Sequence, residues 1–191
     1  MKRVLSVFVP VIIAAALLCG CGEARVRRLA TRMMKSEITV PQTLELMNGK
    51  YIADSSWLES DGKYRLIVTI AKEHCTGCRI SAHELIDSLL VSVPSAVFSP
   101  MVVLSGPDRE SVETAYSTIA KFSLGYPIYL DETSELLRRN PSIPEDTRFQ
   151  SFLLDPDGRV VLIGDPTTDY NMMKLYRQVL AERTREESAN K

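Results

Sequence analysis

Histidine is nearly missing from this chain of 191 residues: there are two, His74 and His83, and none follows residue 83. That leaves no distant imidazole to complete a thiolate metal centre and no Ser-His-Asp order for acyl transfer. An excess of charge is lacking too. The 23 basic and 24 acidic residues are interspersed, with a formal charge of −1, so nothing favours nucleic acid as a partner. The 9 glycines form no phosphate-cradling loop, and no paired-carboxylate motif, internal repeat or low-complexity tract is present. No cofactor and no metal are therefore expected. What remains is ordinary: 45% apolar and 25% charged residues, in a chain long enough to bury a core without disulfide staples.

The long apolar run, Val4 to Leu18, is interrupted by Ser6 and Pro10 and preceded by Lys2 and Arg3. It is too short and weakly flanked for a membrane-spanning helix and reads as a targeting segment. It ends in Leu18-Cys19-Gly20-Cys21, which resembles the lipobox of bacterial lipoproteins. The resemblance implies a signal peptide over 1–20 and a lipid on Cys21. An ordinary secretory signal or an uncleaved anchor are the alternatives. Cleavage would remove Lys2, Arg3 and no acid, leaving 21 basic residues against 24 acidic ones and a charge of −3. Gly22 rather than Asp after Cys21 implies, by the same resemblance, a place in the bacterial envelope, on the outer membrane facing the periplasm. Cys19 would go with the signal and Cys21 be consumed by lipid. The even pair left is Cys75 and Cys78, in a compartment that permits disulfides.

Residues 21–37 carry Arg25, Arg27, Arg28, Arg32 and Lys35, with Val26, Leu29, Met33 and Met34 at helix-like spacing. The segment reads as a basic, solvated tether, or as one that meets anionic headgroups. Residues 38–62 read as a β extension, with a hairpin turn at Asn48-Gly49. Tyr64 to Ala71 is a nearly continuous apolar run, as expected of a strand covered on both faces. From Thr76 to Leu90 the period becomes helical, with Cys78, Ala82, Leu85, Ile86, Leu89 and Leu90 on one stripe. Pro94 and Pro100 mark a loop before a strand at Met101 to Leu104. A helix after Asp108 carries Val112, Ala115, Tyr116, Ile119 and Phe122 on one face. Pro127 to Leu130 reads as a strand and Glu132 to Arg139 as a helix. Strands at Phe149 to Leu154 and Arg159 to Ile163 flank the turn Asp155-Pro156-Asp157-Gly158. A last helix spans about Asp169 to Thr184, before a polar, frayed tail. Strands alternating with helices imply an α/β fold: a mixed central sheet with helices on both faces and an N-terminal β-hairpin extension.

Cys75-Thr76-Gly77-Cys78 stands where a buried strand gives way to an amphipathic helix. A cysteine there meets unpaired backbone N–H groups and the positive end of the helix dipole, both of which favour thiolate. Cys75 is then the exposed, attacking thiol. Cys78, one turn on, resolves the mixed disulfide that Cys75 forms. So small a loop is a poor structural staple. His74, Glu73, Lys72 and Arg79 flank the pair and could tune it, or stand simply solvated.

Together with Ser151-Phe152-Leu153-Leu154-Asp155-Pro156-Asp157-Gly158-Arg159-Val160-Val161 and a helix-containing connection before it, this motif resembles the thioredoxin-like superfamily, in particular the TlpA-type redoxins of bacterial envelopes. The resemblance covers about Lys63 to Ala181. It implies a thioredoxin-like three-layer sandwich over 63–185, followed by a polar tail at 186–191. It also implies a thiol-disulfide oxidoreductase whose partners are cysteine-containing exported proteins or a membrane electron donor. Three departures stand out. His74 replaces a Trp, Phe149 stands where a cis-proline is usual, and Thr69 falls where thioredoxin has a buried acid. They keep open a non-catalytic scaffold on the same fold. A thiolate metal-binding module is a further alternative.

Overall fold

The computed structural model describes residues 22–47, 62–71, 75–122 and 124–189. A first helix, α1, covers 22–33. It is followed by β1 (Glu45–Leu46), β2 (Tyr64–Ala71), α2 (Thr76–Ser81), α3 (His83–Ser92), β3 (Phe98–Ser105), α4 (Arg109–Ile119), β4 (Ile128–Asp131) and α5 (Glu135–Arg139). A 3-10 turn at Thr147–Phe149 leads into β5 (Ser151–Leu154), β6 (Val160–Ile163) and α6 (Tyr170–Ala189). The strands form one open, mixed sheet in the order β1-β4-β3-β2-β5-β6.

All eight residues of β2 are buried, as its continuous apolar run requires of a central strand. It runs parallel to β3 and antiparallel to β5. The connections β2–β3 and β3–β4 step the same way along the sheet, and crossovers of one hand then leave their helices on one face. Ile80, Ile86, Leu89 and Ala115 accordingly share a core with Leu66, Val68 and Ile70, and Tyr176 and Leu180 of α6 join it. The opposite sheet face buries Ile67, Val103, Tyr129 and Phe152 beneath Met33 of α1 and Leu136 of α5. The expected three-layer α/β sandwich is thus present.

Several local expectations are corrected. Pro100 lies inside β3, not in a loop. The Val102 amide donates to Pro127 at the edge of β4 (3.1 Å), and β4 begins opposite Val102. An amide at Pro100, two residues earlier and so pointing the same way, would have had no β4 residue to meet, which is where a strand tolerates proline. The helix expected to run from Thr76 to Leu90 breaks at Ala82 (φ −74°, ψ 13°). The break turns Cys78 and Leu85 to solvent and leaves Ile80, Ile86 and Leu89 inside. In α4, Tyr116 points outward and Thr118 is buried instead. The last helix continues to Ala189, past the expected fraying.

The basic segment is not a solvated tether. Its helix packs Met33, fully buried, and the half-buried Val26, Leu29 and Ala30 against the lower core, while Met34 stays exposed. β1 pairs antiparallel with β4 at the sheet edge. The Asn48-Gly49 turn lies outside the described residues.

Two contacts secure the N-terminal segment. Buried Asn140 accepts from the Thr39 amide and donates to the Thr39 carbonyl (both 2.9 Å), and donates to the Leu136 carbonyl (2.7 Å). Gly158, at φ +83°, closes the β5–β6 turn, and a Cβ there would lie 3.2 Å from the Ile38 carbonyl.

Asn140→Ala should cost about 2–3 kcal/mol in urea unfolding, because it strands Thr39's backbone groups. Alkaline titration gives a second check. Burial pushes the Tyr129 phenol up to about 12, against a smaller opposing pull from Arg65. Burial also raises Tyr176 well above its ordinary value, and the Asp165 charge adds to it. A raised phenol favours the neutral form in the folded state, so stability should be level below pH 10 and fall as pH rises through that value towards 12. Tyr176→Phe should flatten part of this fall in urea titrations at pH 8 to 11.5.

Candidate active site

The antiparallel pairing of β5 with the parallel strands brings three segments to one edge. Val68 near the end of β2 faces Ser151 at the start of β5. The start of α2, the 147–150 turn and the β6–α6 turn therefore converge there. Cys75 is the N-cap of α2, and its Sγ accepts from the Cys78 amide at 3.2 Å. The two cysteines form a disulfide, with Cα atoms 5.3 Å apart. Both residues are exposed, so exposure alone does not rank them. What differs is the backbone: Cys75 sits at the cap, facing the first-turn N–H groups, and Cys78 lies within the turn. The influence of a helix end fades within one turn, so the break at Ala82 leaves it intact.

Arg79 is the flanking residue with a defined place. Its guanidinium pairs with Asp165, just past β6, and reaches Ser151 Oγ at 3.5 Å. Asp165 also accepts from the backbone N–H and hydroxyl of Thr167, at 2.8 and 2.6 Å. Next to it, the Tyr176 hydroxyl donates to the Gly164 carbonyl at 2.8 Å. A chain of polar contacts thus ties the active-site helix to β5, to the last turn and to α6. Arg79 and Asp165 line a groove of about 540 Å³ together with Thr147, Arg148, Gln150 and Gly164.

Phe149, which stands where a cis-proline is usual and is by sequence a candidate for tuning the pair, is buried in the lower core. The 3-10 turn rotates it inward, and Gln150 takes the position beside the groove. Gln150 is 3% exposed and its Oε1 has no hydrogen-bond partner, while its Nε2 donates to the Glu145 carbonyl at 3.4 Å. Sequence reasoning missed Asp165, because its pairing with Arg79 joins residues far apart in the chain, and Gln150, because its place is set by the 3-10 turn that buries Phe149. No cis peptide occurs among the described residues. Thr69, where a buried acid would fall, is fully buried with its hydroxyl unpartnered. Glu73, His74 and Lys72 lie outside the described residues, as does Cys21. At the groove's rim Arg148 holds the Asp146 carboxyl down at about 2, chiefly through its side-chain and backbone hydrogen bonds, with a small contribution from the Arg25 charge. No group of three or more His, Cys, Asp and Glu among the described residues could hold a metal ion.

No protein-family model matches the chain, and no curated protein does. Solved structures do. A protein of Bacteroides thetaiotaomicron described as a protein disulfide isomerase has a TM-score of 0.54 at 19% identity, over 80% of this chain and 94% of its own. A thiol-disulfide isomerase of Corynebacterium glutamicum has a TM-score of 0.52 at 14% identity, over 76% and 94%. A Chlorobium tepidum protein described as thiol:disulfide interchange protein DsbE has a TM-score of 0.51 at 15% identity, over 77% and 97%. At these identities the likeness is one of fold, and the fold is thioredoxin-like. A Cys-x-x-Cys disulfide at the start of the helix that follows the central strand fits redox function.

The ion pair makes a prediction with two opposed arms. In the reduced protein, Asp165→Asn should leave Arg79 uncompensated and raise the iodoacetamide reaction rate of Cys75 at neutral pH about two- to three-fold; Arg79→Met should lower it by a similar factor. Both variants break the same bridge. Rates that move in one direction for both would show that the bridge acts by shape alone.

Proposed function

We propose that this protein is a membrane-anchored thiol-disulfide oxidoreductase of the bacterial cell envelope, acting through Cys75 and Cys78. The observation that carries the reading is the exposed disulfide at the N-cap of α2; Arg79, the residue after Cys78, lines a groove at the same edge. The anchoring half of the reading rests on the lipobox-like Leu18-Cys19-Gly20-Cys21.

In the reducing direction, Cys75 thiolate attacks one sulfur of a partner's disulfide. A Cys75–partner bond forms, and the partner's other sulfur leaves as thiolate and takes up a proton. Cys78 thiolate then attacks Cys75 Sγ, breaks the mixed bond and releases the partner's second thiolate. Two electrons have moved to the partner, and Cys75–Cys78 is left as the disulfide. An external dithiol must reduce it for another turnover. The reverse sequence oxidises a partner dithiol. Cysteine-containing exported proteins and a membrane electron donor supply the two sides of this exchange.

Specific observations favour a second reading, a thioredoxin-fold lipoprotein that binds partners without exchanging bonds. They are the absence of a cis peptide among the described residues and Thr69 in place of an acid.

Cys78→Ser should trap partners as mixed disulfides that dithiothreitol releases and that non-reducing gels resolve. A reduction potential measured against glutathione should fall in the range of exchangeable rather than structural disulfides, above about −300 mV. No trapped species, with a double Cys75→Ser, Cys78→Ser strain indistinguishable from the parent, would favour the binding reading.

A further inference from the structure

Helix α1 divides its surface between two environments. Val26, Leu29, Ala30 and Met33 are spent on the lower core. Arg27, Arg28 and Arg32 face outward, followed by exposed Lys35; Glu23 is the acidic residue within the helix, and exposed Glu37 follows it. An amphipathic helix that inserts into a bilayer must offer it an apolar face; this one has none left to offer. Its outer face can meet a membrane through charge alone.

Position adds a second constraint. Gly22, Val26 and Arg27 line a second groove with Arg148, and Arg148 also lines the groove that holds Arg79 and Gln150. The start of α1 therefore lies beside the redox edge. From Val26 onward α1 is packed against the domain, so the direction of its outer face is fixed relative to the redox edge.

We propose that α1 is a rigid electrostatic mount that lays its basic face on an anionic bilayer and holds the redox groove at the headgroup level, within reach of cysteines at the membrane boundary. The proposal rests on the membrane-anchored reading given above.

The test uses the full chain reconstituted in vesicles of phosphatidylglycerol and phosphatidylcholine that carry a headgroup nitroxide. A fluorophore is placed through an encoded azide either at Thr147, beside the redox groove, or at Ser95, in the loop before β3. Quenching at Thr147 should exceed that at Ser95 at least two-fold. The contrast should vanish in pure phosphatidylcholine, in 1 M salt, and in an Arg27→Glu, Arg28→Glu, Arg32→Glu variant that stays vesicle-bound. Bound chain with equal quenching at the two positions would overturn the mount and leave the anchor standing, as would a contrast indifferent to charge. Chain recovered free of the vesicles would overturn both.

Discussion

One reversal of strand direction organises this molecule. β2, β3 and β4 run parallel, and β5 returns antiparallel beside β2. The end of a buried strand is thereby set against the beginning of its neighbour, so the helix that leaves one and the turn that enters the other must share an edge. Every polar group of the candidate site is drawn from that edge. Were β5 parallel, Ser151 and Gln150 would lie at the far end of the sheet, and Cys75 would stand at a helix start with no groove beside it.

The Arg79–Asp165 pair spans this edge. It joins the short helix that carries the disulfide to a turn also held by Tyr176 and Thr167. A six-residue helix that breaks at Ala82 has little stability of its own, so its position depends on packing against the sheet and on this pair. The guanidinium that locates the helix belongs to the residue that follows Cys78. The buried, unpartnered Oε1 of Gln150 stands in the same groove.

The N-terminal segment connects this edge to the other sheet face. α1 starts near Arg148, and the chain beyond it reaches the β5–β6 turn, where the Ile38 amide donates to the Gly158 carbonyl at 2.8 Å. Asn140 then holds Thr39 at both backbone groups. What looks in the sequence like a connector is therefore part of the domain, and its basic residues are fixed in direction relative to the disulfide.

Local signals determined much of this. The apolar run of β2, the Asp155-Pro156-Asp157-Gly158 turn, the Cys-x-x-Cys spacing and the switch from strand to helical period each depend on neighbours a few residues apart, and each could be read directly. The α/β class followed from their order. Tertiary structure alone decided that Phe149 faces the core and Gln150 the groove, that Arg79 pairs with Asp165 rather than with water, that Pro100 fits within a strand, and that the 22–33 helix is docked. Each of these turns on what lies opposite in space, across as many as 101 residues of chain for Asn140 and Thr39, and spacing along a sequence carries no record of such encounters.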